Sequence, residues 1–196
     1  MSLGFELEAI RLDRTELPLL SLAVAMSILE IIEERVSEEH ETGLHWPNDV
    51  YVDGQKISGI LLEAPTARHV VVGVGVNINN LCAEIPAELR KHFEKHPITS
   101  LIDLTGKETE LPTFVRQFLF RLHENIERLS IDRIGFIDET KRYCVQVGRK
   151  ITVRQGKADL YGRCHGIAPD GGLLLETASG IETVHSGVTH HKEPDI

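Results

Sequence analysis

Hydrophobic positions along the chain fall into three regimes. Apolar and polar residues alternate loosely over 5–12, which predicts a strand ending at the polar Asp13-Arg14-Thr15. Residues 19–36 are rich in Leu, Ala, Ile and Met, with almost no polar side chain before Glu30. A helix apolar nearly all round is a buried one whose charged end emerges, and Pro18 sits where a helix start tolerates proline. Apolar, β-branched patterns then predict three successive strands over 45–52, 56–64 and 68–79. Asp53-Gly54 between the first two is a two-residue hairpin signal, and Ala64-Pro65-Thr66-Ala67 is a turn-like link to the third.

Helical patterning returns in the second regime. A short amphipathic helix is expected over 84–96, with Pro86 near its start, and Thr99-Ser100-Leu101 opens a further turn of helix that stops at Gly106. Phe114, Val115, Phe118, Leu119, Leu122 and Ile126 recur at helical spacing and predict a helix over 112–129, followed by a shorter one over 136–145. After Gly148 the character changes to short strands over 151–153, 160–167, 173–176 and 181–185, separated by glycine-bearing turns such as Ala168-Pro169-Asp170-Gly171-Gly172. Four or five strands in about fifty residues suggest a small barrel. A boundary is placed near Val147, dividing the chain into 1–147 and 148–196, with no internal repeat or low-complexity segment.

Composition narrows the classes. The 196 residues, 41% of them hydrophobic, suit one ordinary domain plus a small second one. A net charge of −9 argues against nucleic acid as a partner, because phosphate contacts need clustered Lys and Arg. No apolar run approaches the roughly 18 residues of a spanning helix, and the N-terminus shows no basic-then-apolar leader, so the chain is read as cytoplasmic with no membrane partner. Cys82, Cys144 and Cys164 are an odd, widely spaced set, which points to reduced thiols rather than a disulfide frame or zinc site. His190-His191 form a terminal pair with no partner spacing and are read as solvated.

The candidate chemistry is concentrated in residues 44–61, LHWPNDVYVDGQKISGIL. With Asp53-Gly54 as the loop, Val52 pairs Gln55, Tyr51 pairs Lys56, Val50 pairs Ile57 and Asp49 pairs Ser58, so Tyr51, Lys56, Asp49 and Ser58 share a face. Lys56 and Asp49 then stand two pairs apart, too far for an easy direct bridge but close enough to flank a small anionic ligand and its metal. Gly59 leaves a gap, and Ile60, Leu61 and Leu62 add an apolar wall. A lysine beside such a wall neutralises a carboxylate or phosphate, more strongly where water is excluded. Lysines near hairpin tips also serve solubility and protect sheet edges, and spacing alone leaves both readings open.

The third strand sorts its residues further. Val70, Val72, Val74, Val76 and Ile78 point one way, and Val71, Gly73, Gly75, Asn77 and Asn79 the other. Two glycines expose backbone against which a flat ligand can lie, and the asparagines offer donors and acceptors for polar edges such as those of a purine. A helix packed on the glycines, or a bulge, competes for either glycine singly; two glycines and two asparagines in register favour the ligand face. The Gly-Val-Gly run lacks the third glycine and following helix of a dinucleotide fingerprint. Glu41 and Glu63 lack partners at acid/base spacing, Ser186-Gly187 is no nucleophile elbow, and the charge-dense stretches 33–39 and 87–95 read as solvated helix surface.

These residues resemble the bacterial biotin–protein ligases. The family's catalytic domain carries K-W-P-N-D, then K-[LI]-[AS]-G-I-L-x-E, then G-x-G-[IV]-N; here these are His45-Trp46-Pro47-Asn48-Asp49, Lys56-Ile57-Ser58-Gly59-Ile60-Leu61-Leu62-Glu63 and Gly73-Val74-Gly75-Val76-Asn77. Thr99-Ser100-Leu101 resembles the family's T-S-L segment, and Gly162 to Leu175 with Ser186-Gly187-Val188 resembles its C-terminal barrel. The resemblance implies an α+β fold, a mixed or antiparallel sheet packed with helices of the class II synthetase-like, biotin ligase type, followed by an SH3-like barrel. It implies ATP-dependent formation of biotinyl-5′-AMP and transfer of biotin to a lysine of a biotin carboxyl carrier protein domain, with biotin, ATP and Mg²⁺ required. Lys56 would be catalytic and hold the biotin carboxylate or α-phosphate; Gly59, Ile60, Leu61, Gly73 and Gly75 would border biotin; His45, Trp46, Asn48, Asp49 and Asn77 would serve the nucleotide, with Asp49 toward Mg²⁺. Two departures accompany the match. His45 replaces the motif's lysine, and the family's earlier half, with its G-R-G-R-x-G-R loop over the adenylate, is expected to lie outside this chain. The chain alone is therefore read as an incomplete ligase. The alternatives are a non-catalytic homologue that binds biotin or nucleotide, or an interaction module whose open sheet edge pairs with another chain, as in a homodimer.

Overall fold

The apolar run near the start of the chain becomes the centre of the molecule. A computed structural model, describing residues 1–94 and 96–190, makes it helix α1 (Leu17–Glu33). A 3₁₀ turn (Arg14–Glu16) leads into it and carries a capping box: Asp13 accepts from the Thr15 backbone N–H at 2.7 Å while Glu16 accepts from the Asp13 N–H at 2.9 Å. Thirteen of its residues are buried, with Leu19, Leu20, Ala23, Val24, Met26, Ile28 and Leu29 fully enclosed. Contrary to the expectation of no such run, residues 14–33 are long and apolar enough by composition to span a membrane. Their burial in the protein core explains that character.

α1 packs between a sheet and helix α4 (Leu111–Ile131). The sheet comprises β1 (Ser2–Glu6), β2 (Thr42–His45), β3 (Asp49–Val52), β4 (Gln55–Glu63) and β5 (His69–Val76), all antiparallel in the order β1-β5-β4-β3-β2. Val50, Val52, Ile57, Ile60, Val70, Val72 and Val74 point into the core beside α1. The opposite face is open: Leu61 is 61% exposed there, and Gly4, Gly59, Gly73 and Gly75 share it. A β-carbon on Gly73 or Gly75 would meet nothing closer than 3.7 Å. Helix packing is therefore not the reason for those glycines.

Several boundaries differ from the sequence pattern for identifiable reasons. The first strand is Ser2–Glu6 rather than 5–12, because the chain turns after Glu6 and returns Leu12 N–H to the Leu7 carbonyl, burying both leucines. The stretch 45–52 is not one strand: β2 ends at His45, the chain reverses through a cis Trp46–Pro47 bond, and β3 returns from Asp49. Proline supplies no ladder N–H there. β5 stops at Val76, so Asn77 and Asn79 leave the sheet instead of continuing the glycine face. The 84–96 segment divides into a 3₁₀ turn (Cys82–Glu84) and α2 (Ala87–Phe93). Helix α3 (Leu101–Thr105) has the expected ends, with Ser100 capping it by accepting from Asp103 N–H and Gly106 closing it at φ 66°.

After α5 (Arg133–Tyr143) come β6 (Lys150–Gln155), β7 (Ala158–Ile167), β8 (Leu173–Thr177), β9 (Gly180–Val184) and β10 (Val188–His190). They form a second antiparallel sheet, ordered β10-β6-β7-β8-β9, that fits an SH3-like domain and completes an α+β architecture. His191 lies outside the described residues. The two sheets share one continuous hydrophobic core. Trp46, 1% exposed, joins them: its indole N–H donates to the Gly171 carbonyl at 3.0 Å, and its backbone N–H donates to Gln146 Oε1 at 2.7 Å. Gln146 Nε2 in turn donates to the Trp46 carbonyl and to Thr189 Oγ1, both at 3.1 Å. The buried Cys144 thiol donates to Gln146 Oε1 at 3.6 Å, and Cys164 is likewise a buried free thiol.

Trp46→Phe removes the indole donor, leaves the Gly171 carbonyl without it and opens a void. The expected cost is about 2 kcal/mol of unfolding free energy, read by urea denaturation.

Candidate functional site

The β3–β4 hairpin turns at Asp53 (φ 50°) and Gly54 (φ 72°), both left-handed as a type I′ turn requires. Asp53 is held by His40 Nδ1 at 2.7 Å and by the Glu41 N–H at 2.9 Å, and these bonds keep its carboxyl below the usual range. Val52 pairs Gln55 and Tyr51 pairs Lys56, as the turn predicts. The register then shifts, so that Val50 faces Ser58 and Asp49 faces Gly59. Ile57 is the extra residue of a β-bulge.

The bulge rearranges the face expected from a regular hairpin. Ser58 turns into the core, where its hydroxyl donates to the Gly75 carbonyl at 2.8 Å. Asp49 moves up beside Lys56, and the two expected to stand too far apart form an ion pair, Nζ to Oδ1 2.6 Å. The neighbouring loop supports the irregularity: Lys56 N–H donates to the Pro97 carbonyl at 2.8 Å, Thr99 N–H to the Lys56 carbonyl at 3.0 Å, and Asn77 N–H to the Ile57 carbonyl at 2.9 Å.

Gly59 leaves room for the ion pair. A β-carbon there would lie 3.0 Å from Lys56 Cε and Nζ and 3.3 Å from Asp49 Oδ1. The Asp49 carboxyl is raised above its ordinary value by burial, with Lys56 partly offsetting the rise. Its Oδ1 is buried and has no well-aligned hydrogen-bond donor among the described residues, so the contact with Lys56 is an ion pair of charge rather than of directed hydrogen bonding. Tyr51, on the same face, is pushed up by burial and then by Asp49. Its ring packs against His45, centroids 5.1 Å apart.

The other candidates fall into two groups. Gly73 and Gly75 lie with Gly59 and Leu61 on the open face, Gly59 directly opposite Gly75 and Leu61 opposite Gly73. Ile60 is 2% exposed and sits on the core side, so the apolar wall on the open side is Leu61. Asn48 closes the reversal before β3 by donating to the Ile60 carbonyl at 2.6 Å. Asn77 donates to the Thr99 carbonyl at 3.0 Å and accepts the Leu101 N–H on its own carbonyl, which ties the Thr99-Ser100-Leu101 segment to the end of β5. Trp46 has its indole buried and its N–H engaged by Gly171, which assigns it to the junction.

Lys56 and Asp49 also border a cleft of about 820 Å³ between the first sheet and the second. His45, Tyr51 and Glu41 line the hairpin side, His96 and Pro97 the loop side, and Arg149 and Gly187–Thr189 the far wall. Sequence reasoning did not find this far wall; Thr189 stands 144 positions from His45, whose Nε2 it approaches at 3.5 Å, and no local pattern encodes such a contact. Among the described residues no three His, Cys, Asp or Glu side chains cluster as a self-contained metal site.

Residues 1–77 match the Biotin/lipoate A/B protein ligase family, and residues 147–188 match the Biotin protein ligase C terminal domain. The chain is 29% identical over 176 residues to the bifunctional ligase/repressor BirA of Bacillus subtilis (strain 168), covering 86% of this chain and 51% of that protein. It is 27% identical over 174 residues to the biotin--[acetyl-CoA-carboxylase] ligase of Mycobacterium tuberculosis, covering 88% of this chain and 62% of that protein. The chain thus spans about half to three-fifths of the length of these relatives. Its fold superimposes on the biotin protein ligase of Aquifex aeolicus with a TM-score of 0.81, at 27% identity over 97% of this chain and 81% of that one. On the same ligase in complex with biotin and ATP the TM-score is 0.77, at 27% identity over 97% of this chain and 78% of that one.

The raised Asp49 carboxyl gives a pH dependence of definite sign. A folded-state value above the ordinary 3.8 means that Asp49 contributes stability below that pH and loses it as pH rises through the folded value. The stability of the native chain relative to Asp49→Asn is expected to fall with rising pH across this window, measured by urea denaturation from pH 3.5 upward.

Proposed function

The chain belongs to the biotin protein ligase family, and from that premise we propose that it joins biotin to ATP as biotinyl-5′-adenylate and passes the biotinyl group to a lysine of a biotin carboxyl carrier protein domain. The observation that carries this reading is the position of Lys56. Its ammonium lies at the meeting of a glycine-floored open sheet face and a deep cleft, in a slot left by Gly59.

On this reading biotin lies along Gly59, Gly73 and Gly75, with Leu61 as its apolar flank and its carboxylate at Lys56. In the first step a biotin carboxylate oxygen bonds to the α-phosphorus and pyrophosphate leaves with the electrons of the broken P–O bond. Negative charge builds on the α-phosphoryl oxygens, where the Lys56 ammonium stabilises it. In the second step the neutral amine of the carrier lysine bonds to the acyl carbon, the acyl C–O bond to the phosphate breaks with its electrons leaving on AMP, and the proton from nitrogen passes to solvent. Asn48 and His45 border the nucleotide, and Asn77 holds the loop on its adenine side. Trp46, which also borders the cleft, supports these residues from the junction. Asp49, a single carboxylate with a poorly satisfied oxygen, suits Mg²⁺ held mainly by nucleotide phosphates; the ion would supply charge neutralisation there.

The cytoplasm suits this chemistry, with ATP at hand and thiols kept reduced. The outer edge of β1 carries no strand among the described residues, which supports edge-to-edge pairing with a second copy. A non-catalytic binding role is the second reading, favoured by the neutralisation of Lys56 by Asp49.

Incubation of the full chain with biotin, ATP, Mg²⁺ and a carrier domain is expected to label the carrier with biotin only when a polypeptide carrying the family's earlier half is added. Lys56→Ala should lower the rate about 10²- to 10³-fold. Gly75→Val fills the open face at a β-favouring position. It should leave thermal stability unchanged or slightly raised while weakening biotin binding more than about tenfold by calorimetry. Biotin binding without carrier labelling even with that polypeptide added would select the non-catalytic reading, and no heat with either biotin or ATP would end both.

A further inference from the structure

The glycine floor and the cleft meet at Lys56 but are otherwise separate. Lys56 and Asp49 border the cleft, whereas Gly59, Gly73 and Gly75 do not. For a nucleotide whose α-phosphate sits at Lys56, the cleft offers its remaining phosphates an enclosed direction toward the second sheet.

The cleft's charges are unevenly matched. Lys56 is already paired with Asp49. Across from them Arg149, exposed on the far wall, makes no side-chain hydrogen bond or ion pair among the described residues, although Glu41 borders the same cleft. Its backbone is fixed on both sides: Arg149 N–H donates to the Gln146 carbonyl at 3.0 Å, and its carbonyl accepts Cys164 N–H at 2.9 Å. Gln146 is the residue that clasps Trp46, so the base of Arg149 is rigidly positioned relative to the Trp46–Asp49 reversal. A planar guanidinium on a fixed base, with its donors unspent, is suited to bidentate contact with phosphate oxygens.

Resting on the ligase reading above, we propose that Arg149 holds the β- and γ-phosphates of ATP. The second sheet then takes part in the chemistry. As the biotin carboxylate oxygen bonds to the α-phosphorus and the α–β bridging bond breaks, the electron pair and negative charge pass to pyrophosphate. Arg149 receives that charge while Lys56 remains with the α-phosphoryl oxygens.

The test is calorimetric titration of the full chain, of Arg149→Ala and of Arg149→Lys with inorganic pyrophosphate, ATP, AMP and biotin. Arg149→Ala is expected to weaken pyrophosphate and ATP about tenfold or more and to leave AMP and biotin within about twofold, well under one factor of ten. Arg149→Lys should fall between, because it keeps the charge and loses the fork. In the ligase assay the ATP KM should rise while the biotin KM holds. Unchanged pyrophosphate binding in Arg149→Ala, equal loss of all four ligands, or no pyrophosphate binding by the native chain would each overturn the assignment, even in an active ligase. Arg149-dependent pyrophosphate and ATP binding without any biotin transfer would instead sink the ligase reading and leave Arg149 as a polyphosphate-binding residue.

Discussion

Burial of one sheet face against α1 constrains what the opposite face can hold. Val50, Val52, Ile60, Val70, Val72 and Val74 are drawn into the core, and the two-residue period of a strand leaves the intervening positions facing outward. Those positions carry glycines, Leu61 and Asp49. The open face is therefore a by-product of the core in its geometry, and its chemistry lies in which residues occupy it. Removing two β-carbons from alternate positions of β5 exposes a strip of backbone, with the cost of the glycines offset by the β-branched valines beside them.

A regular hairpin would have kept Asp49 and Lys56 apart. The bulge at Ile57 advances the pairing by one residue, and Gly59 clears the volume that the ammonium occupies. This places opposite charges in contact at a half-buried site, where desolvation weakens each ion and their mutual attraction restores part of the loss. Burial holds the Asp49 carboxyl above its ordinary value, and Lys56 offsets part of that rise. The irregular strand, the glycine and the raised carboxyl are consequences of one local arrangement.

Trp46 gives the second sheet its place in that arrangement. Its indole fills the junction and its polar atoms are matched by Gly171 and Gln146, so the reversal that carries Asn48 and Asp49 is braced from the side of the second sheet. Loss of that brace would loosen the junction and the wall of the cleft together. Stability and site geometry are coupled through a single buried side chain, whose displacement would be felt in both sheets.

Local features were legible in the sequence because their causes are local. Asp53-Gly54 specifies a type I′ turn through its own backbone preferences, the valine and glycine alternation of β5 follows from strand periodicity, and Ser100 and Gly106 bound α3 by capping. The motifs around Trp46, Lys56 and Gly73 likewise carried the family. The bulge at Ile57 was not legible, since it depends on Pro97 and Thr99 bonding to Lys56 from some forty positions away. Tertiary structure alone turned Ile60 inward, took Asn77 out of the sheet, gave Trp46 to the junction and set Arg149 opposite Lys56. Each of these depends on which distant backbone or side chain satisfies a buried group, as with Trp46 and Gln146, 100 residues apart. A linear pattern records a residue's periodicity, and only the folded chain decides what stands across from it.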